Sequence, residues 1–176
     1  MIKYWPGYRI AGRALAVCIA LSLAANAGAQ DINPDPAARY ADREAIEAVL
    51  ERYVIGLDRL DADLYASAFA EDGEIVIYEE TTHRGHEALR TYIAEVVAAM
   101  EALEAVGDGR LMFHMHYNQR IFFTGADTAE HHAYWTTTAR MADGRIDDIG
   151  VGTLRDTFVR RDGEWKLLRR ELFRDP

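Results

Sequence analysis

Cysteine is nearly missing. Cys18 is the only one in 176 residues, and it lies in a stretch that reads as a leader. Without that leader the chain has no disulfide, no thiol nucleophile and no cysteine-ligated metal, so its stability has to come from an ordinary hydrophobic core. A hydrophobic run of membrane-spanning length is also absent. The longest candidate, "ALAVCIALSLAA" at 14–25, is short of the roughly 20 apolar residues a spanning helix needs. Basic charge is scarce beside acidic charge, 20 residues against 29, for a formal charge of −9. Such a chain is a poor nucleic-acid binder and has no polybasic patch for anionic lipid. Internal repeats and low-complexity tracts are missing too.

The first thirty residues have the layout of an export signal. Lys3, Arg9 and Arg13 precede the apolar run, and Ala27-Gly28-Ala29 fits a signal-peptidase site, which predicts cleavage after Ala29. An uncleaved anchor is the alternative. Cleavage implies a periplasmic or secreted protein of 147 residues with formal charge −12 and no membrane attachment, the size of one domain. Residues 30–40, broken by Pro34 and Pro36, read as a loose, disordered lead-in, and 41–175 as the domain.

Asp42 is placed as the cap of a first helix whose apolar stripe is Ile46, Val49, Leu50, Tyr53, Val54 and Leu57. Gly56 is its weak point. A short second helix follows, capped by Asp61, with Leu64, Tyr65, Ala68 and Phe69 on its buried side. A strand over 74–79, a turn at Gly85 and a long helix with Leu89, Ile93, Val96, Val97, Met100 and Leu103 in register come next. "GDG" at 107–109 stops that helix. Four strands, 110–124, 129–141, 147–161 and 164–173, are separated by "TGAD", "ADGR" and "RDG". Segregated helices and strands predict an α+β domain.

Two places break the local rules. Asp58 continues the row Ile46, Leu50, Val54 at four-residue spacing, so a carboxylate points where a core residue belongs, at the negative end of the helix dipole. It could instead cap the next turn, although Asp61 and Asp63 are better placed for that. In "LMFHMHYNQRIFF", 111–123, alternation puts His114, His116, Asn118 and Arg120 on one face of a strand. That face is either solvated or the lining of a pocket. A shielded carboxylate beside an imidazole fixes its tautomer and raises its basicity, which suits β-elimination, dehydration or enol isomerisation. His114, His116 and one of His131 or His132 could also offer zinc three nitrogens, but no carboxylate stands at a telling spacing, and no metal is expected. His83 and His86, flanking Gly85, read as surface residues.

The motifs "YVIGLDRLDADLYASAFAEDGEI", "HRGHEALRTYI", "HMHYNQR" and "RDGEWKLLRR", in this order over residues 40–173, resemble the SnoaL-like branch of the nuclear transport factor 2-like superfamily. Within it they resemble the scytalone dehydratase and hexachlorocyclohexane dehydrochlorinase group. The resemblance implies a cone-shaped α+β barrel, a bent antiparallel sheet packed on three helices. It also implies a cofactor-independent lyase with an Asp58–His114 dyad as general base, no metal and no cofactor. The substrate-contacting set it implies is Tyr78, His116, Asn118, Arg120, His132, Trp135 and Thr153, although either His131 or His132 could be the inward one. The ligand expected is a small apolar or aromatic molecule, which includes lignin-derived diaryl compounds, and the assembly a homodimer or homotrimer. An isomerase or cyclase of the same fold, or a periplasmic ligand-binding module without chemistry, remain the alternatives.

Overall fold

The computed structural model describes residues 35–102, 112–141 and 143–174; the leader, Leu103 and Leu111 lie outside them. Helix α1 spans Pro36–Asp58, α2 Ala62–Ser67 and α3 Gly85–Ala102. The strands are β1 Phe69–Ile77, β2 Thr81–Arg84, β3 Met112–Phe123, β4 Thr128–Arg140, β5 Ile146–Arg161 and β6 Glu164–Arg174. They form one curved α+β sheet in the order β2-β1-β6-β5-β4-β3. Its pairings are antiparallel except β1 with β6, so the sheet is mixed, and it stays open instead of closing into the expected barrel.

Several readings from the sequence are corrected. First, α1 starts six residues before Asp42. Asp35 caps it by accepting from the Ala37 N–H at 3.1 Å, and Pro36 occupies the first turn, where a missing N–H costs nothing. Pro36 thus opens a helix inside the supposed lead-in, and Asp42 is an interior residue that accepts bonds from Arg160 and the Trp165 indole. Second, α2 keeps its Asp61 cap, a 3.0 Å bond from the Leu64 N–H, but ends at Ser67, and Phe69 opens β1. Third, His83 is not a surface residue: it is buried on β2 with its ring 5.0 Å from that of Tyr92. His86 is half-buried, with Nε2 3.1 Å from the Phe69 carbonyl.

The apolar stripe of α1 packs with α2, α3 and the concave face of the sheet around Ile46, Tyr53, Tyr65, Phe69, Leu89 and Phe158. Helix α1 also covers the free edge of β3. Asp58 accepts the His114 N–H and Arg43 donates to the Ile121 carbonyl at 3.3 Å, so side chains of α1 take one donor and one acceptor of this edge. Among the described residues, no helix is long and apolar enough to cross a membrane.

The face rule for β3 holds only halfway along it. Asn118 has φ 52°, and the pairing with β4 shifts register between Tyr117 and Arg120. This β-bulge inserts one residue and swaps the faces. Before it the even residues point inward, and Met115 and Tyr117 are exposed. After it Ile121 and Phe123 turn into the core, while Phe122 is exposed.

Candidate active site

The last turn of α1 carries Asp58 to the start of β3, as the row Ile46, Leu50, Val54 requires. The carboxylate is 5% exposed. Its Oδ1 accepts both the His114 backbone N–H at 2.9 Å and His114 Nδ1–H at 2.8 Å. A carboxylate only accepts, so Nδ1 carries a proton, and in the neutral ring Nε2 keeps its lone pair. The ring forms part of the wall of a cavity of about 90 Å³ that Tyr53, Tyr78, Tyr92, His116, Trp135 and Arg170 also line. Cross-strand register explains part of this lining, because His114 lies opposite Thr137 and His116 opposite Trp135, on one face of the sheet.

His116 makes no hydrogen bond through its ring to a described residue, and its nearest rings are Tyr53 at 6.5 Å and His131 at 6.2 Å between centroids. Burial, assisted by the Arg170 charge, pushes its pKa down to about 3, so the ring is neutral. Tyr92 is raised above the usual phenol range by burial. Tyr78 follows β1 in a left-handed conformation, φ 55°, with Trp135 at 6.4 Å on one side and Arg174 over its ring at 4.0 Å.

Arg170 is the residue the sequence reading missed. It is fully buried, its guanidinium stacks on Tyr53 at 3.8 Å, and Asp156 holds Nε at 2.7 Å and one terminal nitrogen at 2.6 Å. The other nitrogen, NH1, has no partner among the described residues. Burial works against this cation, but Asp156 outweighs it and keeps Arg170 charged. Burial likewise pushes Asp156 upward, yet Arg170 and His131 hold its carboxyl down at about 2. His131 donates to Asp156 at 2.7 Å, and Gln119, turned inward by the bulge, reaches the far ring nitrogen at 3.2 Å.

The structure therefore brings together Asp58, His114, His116, Tyr78 and Trp135. It does not bring Asn118, Arg120 or His132 to them, and Thr153 meets them through its backbone carbonyl, which accepts the Trp135 indole N–H at 3.0 Å. Arg120 lies exposed over Phe122 beyond the bulge, and His132 is 44% exposed beside Glu130. Asn118, His132 and Thr153 line a separate groove on the outer face of the sheet with Tyr134, Arg155 and Phe173. His131, not His132, is the inward one, because it shares its parity with Ala129, Ala133 and Trp135.

The matching family is described as a SnoaL-like domain, and the match covers residues 38–171. No curated protein matches the chain. An NTF2-like protein with a cystatin-like fold from Novosphingobium aromaticivorans is similar at 25% identity and a TM-score of 0.66, over 78% of this chain and 86% of that one. A second protein from that organism, provisionally assigned as a scytalone dehydratase, is similar at 25% identity and TM-score 0.64, over 78% and 87%. The hexachlorocyclohexane dehydrochlorinase of Novosphingobium barchaimii shares the fold at 21% identity and TM-score 0.66, over 81% and 92%.

Proposed function

The chain belongs to the SnoaL-like domain family, and from that premise we propose that it is a cofactor-independent lyase of the dehydratase or β-elimination type. The observation that carries this reading is the 2.8 Å contact between a shielded carboxylate and an imidazole that lines a cavity and whose other nitrogen has no partner among the described residues. His114 Nε2 takes the proton from a carbon next to an activating group. The C–H electron pair becomes the new double bond, and the C–X bond breaks with its pair leaving on X. The proton stays on His114 while X departs as halide, or passes on to a departing hydroxyl to give water. Asp58 stabilises the imidazolium that forms. The Tyr78 hydroxyl and the Arg170 N–H are the donors available to the oxygen or leaving group.

The aromatic lining of Tyr53, Tyr78, Tyr92 and Trp135 supports a cyclic or aromatic substrate, and lignin-derived diaryl compounds belong to that class. The volume of about 90 Å³ is small for a ring. His116, however, also lines a groove between α1 and β3 with Leu50, Val54 and Ile55, so its ring is a wall common to the two spaces. Export directed by residues 1–29 is part of this proposal and favours a compound met outside the cytoplasm, and mass spectrometry of the mature protein tests it by finding Gln30 at the N-terminus.

The test of function is incubation of the purified protein with cyclic and aromatic alcohols, halides and diaryl compounds, following water, halide or formaldehyde release. Turnover abolished in His114→Ala supports the lyase. Retention of such compounds without turnover by either protein supports the binding module instead.

A further inference from the structure

The use made of Arg170 depends on the three residues behind it. Its charge is matched by Asp156, whose two oxygens take Nε and a terminal nitrogen, the remaining nitrogen has no partner among the described residues, and the Arg170 side chain lines the cavity. Asp156 is in turn held by His131, and His131 by Gln119, which the bulge at Asn118 aims inward. Arg170, Asp156 and His131 are all fully buried, and solvent does not screen them. Resting on the lyase reading of the same cavity, we infer that Asp156 sets ligand charge specificity by cancelling Arg170, so that the site selects a neutral oxygen- or halogen-bearing ligand over an anionic one.

The argument is one of charge and direction. An incoming carboxylate would give up its hydration to meet one N–H of an already neutralised cation, with Asp58 as a second negative group behind the His114 ring. A carbonyl oxygen or a carbon-bound halogen gives up far less and still receives a hydrogen bond from a charged donor. Arg174, over the Tyr78 ring at the exposed end of β6, is solvated and screened, and does not reverse the balance. Asp156 is a positioning residue here, because it reaches the ligand only through Arg170.

Acetophenone and benzoate are planar probes of nearly the same shape that differ in charge. Calorimetric titration of the full chain at pH 8 gives the ratio of their dissociation constants. Wild type is expected to bind acetophenone at least tenfold more tightly. Asp156→Asn frees the Arg170 charge and should swing the ratio at least tenfold toward benzoate, a reversal that simple loss of packing would not produce. If that variant does not fold, Asp156→Asn with Arg170→Gln removes both charges. This double variant should lose acetophenone affinity at least tenfold and keep the ratio, since Asp58 remains. Benzoate binding as tight as acetophenone in wild type, binding of neither probe, an unmoved ratio in Asp156→Asn, or undiminished acetophenone affinity in the double variant overturns the inference. The readout is binding alone. A lyase whose ratio ignores Asp156 sinks only this inference, and a reversed ratio in a protein that turns nothing over sinks only the lyase reading.

Discussion

One oxygen of Asp58 holds His114 twice, at the backbone N–H at 2.9 Å and at Nδ1 at 2.8 Å. The first bond fixes where β3 begins against α1, and the second fixes the ring tautomer. Asp58→Asn keeps an acceptor for the backbone N–H but removes the charge that supports an imidazolium. It should therefore retain the fold while turnover falls by roughly 10²–10⁴-fold, the span of general-base contributions. His114→Ala should fall as far, with ligand affinity largely kept. Steady-state rates and circular dichroism on both variants check this, and undiminished rates would remove His114 from the chemistry.

The left-handed backbone at Asn118 predicts an order of substitution. An L-residue in this region pays roughly 1–2 kcal/mol, with asparagine among the most tolerant and glycine exempt. Asn118→Gly should be close to neutral in urea unfolding, and Asn118→Ala should cost about 1 kcal/mol on the same scale. Because the bulge aims Gln119 at His131, Asn118→Val should also perturb the His131 ring resonances. Equal stability of the alanine and glycine variants would show that the bulge carries no strain.

The bulges also mark what could not be read from sequence. The Asp58 row was legible, since four-residue spacing survives along an unbroken helix and puts the carboxylate against β3. The face of β3 was legible only up to Tyr117, because alternation cannot reveal an inserted residue, and Asn118 and Arg120 were carried to the wrong side. Arg170 was hidden for the same reason. Pairing of β5 with β6 shifts register between Thr157 and Phe158, passing over Leu168, so the parity of buried Trp165 and Leu167 passes from odd residues to even ones. The inward histidine of β4, by contrast, was readable. His132 and Trp135 have opposite parity on an unbroken strand, and Trp135 with its neighbouring alanines selects His131. The start of α1 was obscured by reading proline as a breaker at a position where it opens a helix.

Two groups near the cavity make stability depend on pH in different windows. The His116 pKa is lowered by burial and by Arg170 from 6.5 to about 3. Below pH 6.5 the unfolded chain gains a proton that the native ring refuses, so stability falls with pH down to about 3. The slope is at most about 1.4 kcal/mol per pH unit. Asp156, held at about 2 against 3.8, contributes stability above pH 4 that disappears only at lower pH. Between pH 6.5 and 4.5 the slope from this pair therefore belongs to His116. Urea midpoints should drop across that interval in wild type and drop less in His116→Phe, and parallel slopes would refute the assignment.

Gly56 reads from sequence as a weak point in α1, and the structure shows what its missing side chain permits. A Cβ there would lie 2.5 Å from the Tyr65 nitrogen and 2.7 Å from its Cα, both backbone atoms of α2 that cannot rotate away. The Gly56 carbonyl also accepts the Asp61 N–H at 2.8 Å, so the close approach belongs to the connection that starts α2. Alanine would gain about 1 kcal/mol in helix propensity. Overpacking against backbone costs typically 1–3 kcal/mol, occasionally more, so Gly56→Ala should be destabilising on balance. Relief requires the last turn of α1 to move, and Asp58 is two residues further along that turn. Turnover should then fall beyond what the lost stability explains, and the His114 Nδ1–H proton resonance should shift with it. A Gly56→Ala protein that melts with wild type and keeps that resonance would mean that α1 and α2 do not approach as closely as these distances require.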